Sequence, residues 1–495
     1  MGAAQSTPPA AAPLVEESTP LVEESTKPVY LCFRTRLGAA FFIMGLMFFT
    51  VGIKQASNDD LPVSLPALRQ LGLDTSLLPG IFAAFYGVGK VSQLFLTYFF
   101  GPRLVLILSM VLSSMGGVCI CSTEQSLVMF GTAITAYGNA HVYGTVLRVL
   151  AQWSSLDHLG RTIGISIGLS NDFGSIAATV IFSLLQANIP APNPLHATAP
   201  YLLTTGLTLM NAFILIACMR ESATAAGFPP PRQVATKTRG DSSTGGSSKG
   251  DGGKGDDDKG GSGTGGSGSS SGPPSVTEHG MERLELMVAV RTLLSYGRVQ
   301  ALLVATMFTM QAWAGLTYFS SYFVDVLLYD DHQATLLLAA FQIGLVFGNI
   351  CVGFVVDFVK TPNVILYINL AALASIITSL SWVLASHIAA DVSMIRVSIP
   401  ALIVFIGFPL SFISMQMIIF IVRFAGPKHS ATLVGMVDVV GFFGTVPYQM
   451  IMGHQVLALG NYTLWLITFL LALGTGMTLT ICILRVDEGL SPAGG

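Results

Sequence analysis

The sequence predicts an all-α membrane protein of twelve transmembrane helices, arranged as two pseudo-symmetric six-helix halves. Three observations carry that expectation. Only 10% of the residues are charged and 52% are hydrophobic, against roughly 25% charged in an ordinary soluble domain. The charges are unevenly placed: stretches 104–122 and 201–219 hold none, and about 20 consecutive apolar residues cross a bilayer core. The apolar runs also fall into two groups of six, separated by a segment, 240–272, made almost entirely of Gly, Ser, Asp and Lys. Such a segment has too little apolar surface to fold and reads as a disordered linker.

Taken in order, breaks at charges, Gly and Pro place spans 1 to 6 at about 37–57, 77–100, 104–122, 127–149, 162–185 and 201–219. Span 1 runs on to 65 if its helix passes through Pro62. Spans 7 to 12 fall at about 299–328, 334–356, 363–386, 397–422, 431–457 and 462–484. The organisation expected is a disordered cytosolic tail (1–36), a first half (37–219), a cytosolic linker (220–298), a second half (299–484) and a short cytosolic tail (485–495). With the N-terminus in the cytosol, 20 of the 24 Lys and Arg fall on the cytosolic side, as the positive-inside rule requires. The outer side then keeps Arg69 and Arg396, while Lys54 and Lys90 lie inside spans.

Smaller features fit this plan. Ala83-Ala84-Phe85 in span 2 has a counterpart in Ala339-Ala340-Phe341 of span 8, and Gly168 with Gly174 in span 5 matches the spacing of Gly435 with Gly441 in span 11. Such echoes suit two related halves. Residues 281–298 regain apolar character and read as an in-plane helix leading into span 7. Met1-Gly2 with Ser6 matches a myristoylation pattern, and Glu17 to Val22 is either a sorting signal of the acidic dileucine type or plain disordered tail.

An ionisable side chain near the bilayer centre costs roughly 2.5–3.5 kcal/mol on insertion scales, so each needs a reason. Lys90 sits mid-span in Tyr86-Gly87-Val88-Gly89-Lys90, and Lys54 lies in span 1 or near its outer end. Each lysine is either a counter-charge for an anionic solute or half of a structural ion pair. Asp172 in span 5, Asp438 in span 11 and Arg148 in span 4 are the charge-pair or coupling candidates. Spans 3, 6, 9 and 12 have no charged residue in their interiors and read as peripheral. A polar cavity is then expected among spans including 1, 2, 5 and 11.

Several classes are excluded. No zinc-protease, phosphate-loop or serine-hydrolase motif occurs, and the eight His and six Cys are scattered, so no enzyme, metal site or cofactor is expected. A net charge of −3 offers no basic surface for nucleic acid. The partners expected are the lipid bilayer and a small anionic solute, with the chain acting as a monomer.

Six plus six helices about a long central loop resemble the major facilitator superfamily. Lys54, Pro62, the Tyr86 to Lys90 run and Pro102-Arg103 resemble the first three helices of its organophosphate:phosphate antiporters. Arg148 to Gly160 with Trp153, residues 341–357 (FQIGLVFGNICVGFVVD) and Gly426-Pro427-Lys428 through Gly444 are similar to later parts of that family. The resemblance implies a carrier that exchanges a phosphate ester for phosphate, with Lys54 and Lys90 serving the phosphate group. This chain has Lys54 where the family commonly has Arg, Ser170 and Asn171 where some members have His, and no basic residue in span 7. Gln311, Trp313 and Tyr318 occupy that span, so hydrogen bonds from Asn171, Gln311, Tyr318 and Asn349 are expected to complete the site. A non-phosphorylated solute, such as a carboxylate or amino acid, and a transporter-like sensor are the alternatives.

Overall fold

The computed structural model describes residues 33, 35–153, 169–189, 193–228, 288, 290–359 and 362–486. The expected N-terminal tail with its lipidation and sorting patterns, the 240–272 linker, residues 281–287 and 289 of the 281–298 segment, the entry to span 5 and most of the C-terminal tail lie outside these residues, while 290–295 are helical. The described chain is almost wholly helical.

Helix α1 (Arg36–Gln70) opens where the Thr35 hydroxyl accepts the Gly38 N–H at 3.2 Å, the usual stabilisation of a helix N-terminus. It continues through Pro62 and Pro66, so the longer of the two expected forms of span 1 is the one found, extended to Gln70. Each proline lacks an N–H and so frees the carbonyl four residues earlier. The carbonyl of Pro62, freed by Pro66, instead accepts the Ser320 hydroxyl from the second half. The longer helix puts Lys54 at its middle, 6% exposed, and brings Asn58, Asp59 and Asp60 inside the bundle.

Helix α2 (Leu78–Ile120) contains spans 2 and 3, broken only at Gly101, whose φ of 75° favours glycine. A Cβ there would meet the Glu221 carboxylate at 2.6 Å. In the turn between α1 and α2, hydrogen bonds from Ser76, its hydroxyl first and then its backbone N–H at 3.0 Å, hold the Asp74 carboxyl below its ordinary range. Span 4 is divided at His141 into α3 (Gln125–Ala140) and α4 (Val142–Trp153). Helices α5 (Ser170–Asn188) and α6 (Pro194–Cys218) complete the first half.

In the second half, α7 (Gly297–Gly315) passes through a tight turn, Leu316–Tyr318, into α8 (Phe319–Asp325), and together they form span 7. Helices α9 (Asp331–Phe358) and α10 (Pro362–Ile388) form spans 8 and 9. The backbone is helical throughout α11 (Val392–Met452), so the loop expected between spans 10 and 11 is absent. A π-helical turn, Gly453–Ala458, leads to α12 (Tyr462–Val486).

Among the described residues, nine helices are long and apolar enough to cross a membrane. Spans 2, 4 and 5 are not among them: the helix of span 4 is divided at His141, the entry to span 5 lies outside the described residues, and all three carry polar side chains inward. These include Lys90 and Gln93 on span 2, Asn139 and His141 on span 4, and Asp172 and Gln186 on span 5, all buried. The outward faces, with Phe41, Phe213, Phe405 and Leu471 at least 60% exposed, present an apolar surface suited to lipid. Close helix crossings rest on glycine: a Cβ on Gly174 of α5 would overlap the backbone of Gly52 on α1. Span 7 is fastened to span 12 by Phe319, whose ring centroid lies 5.1 Å from Trp465 and 5.6 Å from Phe469.

Candidate functional site

A cavity of about 240 Å³ lies between the halves. Its walls come from spans 1, 2 and 5 on one side and 7, 8 and 11 on the other. Spans 3, 6, 9 and 12 contribute none of its lining, in keeping with the peripheral place expected of them. The walls are mostly neutral. Gln55 and Asn58 from span 1 face Gln342 and Gln449 from the second half, between the apolar rings of Phe82, Trp313, Phe341 and Phe442. Asp59 is the one ionisable residue in the wall.

Asp59 is held by its neighbours. The Ser175 hydroxyl donates to Oδ2, and Gln55 Nε2 donates to Oδ1 at 3.2 Å. The Oε1 of the same Gln55 accepts from Lys54 Nζ at 3.3 Å, so Lys54 reaches the cavity through one intervening amide. On the other face of α1, buried Asp60 takes a hydrogen bond from Thr204 of α6.

Lys90 lies beside the cavity rather than in its wall. Its Nζ pairs with Asp438 Oδ2 at 2.8 Å, joining span 2 to span 11, with side chains 3% and 16% exposed. The ring faces of Tyr86 and Tyr143 lie 5.5 and 5.1 Å from the same Nζ, close enough for cation–π attraction. Lys54 Nζ lies 5.8 Å from that Tyr86 ring. The two lysines thus converge on one tyrosine, whose ring packs at 4.3 Å against Phe442 of the wall.

The other residues singled out in the sequence have separate places. Asn349 Nδ2 donates to Asp172 Oδ2 and links span 8 to span 5, so Asp172 is held by an amide across the halves, not by a lysine. Ser411 donates to Asn349 Oδ1. Gln311 donates to the Gly444 carbonyl at 3.1 Å, and Tyr318 donates to the backbone and side chain of Gln449. Both therefore brace span 7 against span 11. Arg148 donates to the Thr97 carbonyl at 3.2 Å, and Asn171 Oδ1 is buried without a partner. None of Lys54, Lys90, Asn171, Gln311, Tyr318 and Asn349 lines the cavity itself.

Among the described residues, Arg36, Arg103, Arg220, Arg298 and Arg485 lie toward the end of the bundle where α1 begins and α12 ends. At the opposite end a set of polar ties joins the two halves. Arg69 makes two hydrogen bonds to Asp325, at 2.8 and 3.1 Å, and Tyr462 donates to the same carboxylate. His196 and Gln70 meet Asp331 at 3.0 and 3.3 Å. Ser183 donates to the His332 carbonyl and Thr335 to Gln186, each at 2.9 Å. These ties hold the halves together at this end.

Two packed helical halves about a cavity between them define a carrier architecture. The family profile "Major Facilitator Superfamily" matches residues 37–448, and the chain belongs to that family. It is therefore a multi-pass membrane transporter of a small solute. The E. coli fucose:proton symporter is similar at 15% identity and a TM-score of 0.53, over 90% of this chain and 98% of that one. A D-xylose-proton symporter is similar at 10% identity and a TM-score of 0.62, over 90% and 97% of the two chains. These likenesses speak for the fold. No curated protein matches the chain.

Proposed function

We propose that the protein is a secondary active transporter of a small organic anion, a phosphate ester exchanged for inorganic phosphate, moving its halves alternately about the central cavity. The observation that carries this reading is the convergence of Lys54 and Lys90 on Tyr86, at 5.8 and 5.5 Å, directly behind the cavity wall. A phosphate group in a low-dielectric site needs more than one positive partner, because a buried uncompensated charge costs several kcal/mol. The two lysines supply those charges from the first half. Gln342, Gln449 and Trp313 of the second half offer hydrogen bonds and an apolar face, which suit the sugar or polyol part of an ester. Lys90 is held by Asp438; an anion that takes the carboxylate's place releases the tie between spans 2 and 11. With the arginine-rich end in the cytosol, the ties at Arg69, His196 and Ser183 form the outer gate.

A second reading is favoured by Asp59. A carboxylate in the cavity wall, bonded to Ser175 and Gln55 rather than to a cation, suits an uncharged hydroxylated solute carried with a proton, as the names of the two symporters suggest for those proteins. Thermal stabilisation of the purified protein separates the two. Phosphate, glycerol-3-phosphate and hexose phosphates raise the unfolding temperature under the first reading, and free sugars and polyols do not. The reverse ranking supports the second, and a rise with carboxylates alone removes both.

A further inference from the structure

We infer that closure of the outer gate binds a proton at His196, so that the gate is set by external pH. The inference rests on the alternating movement of the halves and is independent of the solute carried.

Both ring nitrogens of His196 face acceptors. Nδ1 lies 2.6 Å from the Ile189 carbonyl, and Nε2 lies 3.0 Å from Asp331 Oδ2. Neither a carbonyl nor a carboxylate donates, so both bonds require an N–H. A neutral imidazole has one and an imidazolium has two. A neutral ring would set a lone pair against either the carbonyl or the carboxylate.

Asp331 makes the same demand from the other side. Its Oδ1 is buried with no hydrogen-bond partner, and Oδ2 receives only His196 and Gln70 Nε2. With the ring neutral, a carboxylate only 10% exposed keeps one amide donor. Of the other charged groups nearby, Arg69 of α1 is engaged with Asp325. On α9, Asp330 and His332 flank Asp331, and the His332 carbonyl accepts from Ser183. From α5 come Ser183, Gln186 and the Ile189 carbonyl, all uncharged. No other cation on the packed elements bonds to Asp331 among the described residues.

The pair crosses the molecule: His196 begins α6 of the first half and Asp331 begins α9 of the second. When the halves part at this end, the imidazole enters water and no longer needs the second proton. The closed gate therefore holds up to one proton more than the open one. By linkage, acid outside favours the closed gate, and the open-to-closed ratio rises by at most about tenfold per pH unit. The site faces one side of the membrane only, so the proton returns to the side it came from. The device sets the conformational equilibrium and adds no proton to the transport stoichiometry.

Spin labels on Leu195→Cys and Leu328→Cys, exposed residues on opposite halves at this end, read the opening of the gate by distance measurement in lipid nanodiscs. From pH 8.5 to 5.5 the long-distance population of the otherwise wild-type protein should fall by tenfold or more overall. With His196→Gln or with Asp331→Asn the population should lose its pH dependence. Asp325→Asn, which breaks the neighbouring tie to Arg69, should raise the open fraction at every pH and keep the slope. Nitrogen-15 spectra of the closed form at pH 7 should show His196 protonated on both nitrogens. A pH-independent wild type, a His196→Gln variant that keeps the wild-type slope, or a neutral imidazole in the closed form would each overturn the inference.

Discussion

Asp438→Asn probes the proposed role of Lys90 most sharply. In the structure Asp438 occupies the position an anion needs, at 2.8 Å from Lys90 Nζ, in a pair 3% and 16% exposed. A hydrogen bond between charged groups is worth about 1.5–3 kcal/mol. An anion that displaces Asp438 binds more weakly by that amount. Removing the carboxylate's charge returns it, and at about 1.4 kcal/mol per tenfold the affinity for phosphate should rise roughly 10- to 150-fold. The fold should survive, because Tyr86 and Tyr143 still present their rings to the ammonium at 5.5 and 5.1 Å and the asparagine fills the same volume. Equilibrium binding of labelled phosphate to purified wild type and variant measures the effect. Turnover should fall as affinity rises, since the occupied state then lacks the competitor that expels the anion. Unchanged or weaker phosphate binding by a folded variant would refute the displacement argument.

Ser320→Ala removes the only described donor to the Pro62 carbonyl and should destabilise the closed outer gate by about 1–2 kcal/mol, seen as a larger open fraction in the spin-label experiment. Gly174→Ala places a methyl group against the Gly52 backbone and should cost about 1–3 kcal/mol, read as a lower unfolding temperature. Gly206→Ala, with open space around it, should leave that temperature unchanged. Asp59→Asn should preserve phosphate exchange, whereas the proton-coupled reading requires it to abolish uptake driven by a pH gradient. Tags at Gly2, Gly260 and Gly495 should all be reached from the cytosolic face; opposite exposure of the first and last would contradict the even number of crossings.

The fold was readable because a bilayer forces long apolar runs, and two groups of six leave few alternatives. The peripheral place of spans 3, 6, 9 and 12 followed from their lack of interior charge. The cavity wall was harder. Span 1 could end at Ser57 or run on to 65, and the shorter form leaves Asn58 and Asp59 outside the membrane, because Asp59, Asp60 and Pro62 look like a loop. Ser320 and Thr204, which supply the missing donors, come from spans distant in sequence. The glutamines of the wall, Gln342 and Gln449, carry no charge and gave no signal in apolar runs, although a polar residue on an inward helix face was the clue available. Lys90 stood out as a membrane-buried charge, and Asp438 was noted as a candidate partner. Nothing in the spacing told which aspartate would reach it, since that choice depends on how span 2 packs on span 11.

Counterflow in liposomes tests the central claim most directly. Vesicles containing the purified protein and loaded with inorganic phosphate should accumulate labelled glycerol-3-phosphate or hexose phosphate from outside without an imposed proton gradient. The same vesicles carrying Lys90→Ala should accumulate much less. No exchange of any phosphate ester by the wild type, together with gradient-driven uptake of an uncharged sugar or of a carboxylate, would contradict the account and leave only the carrier fold standing.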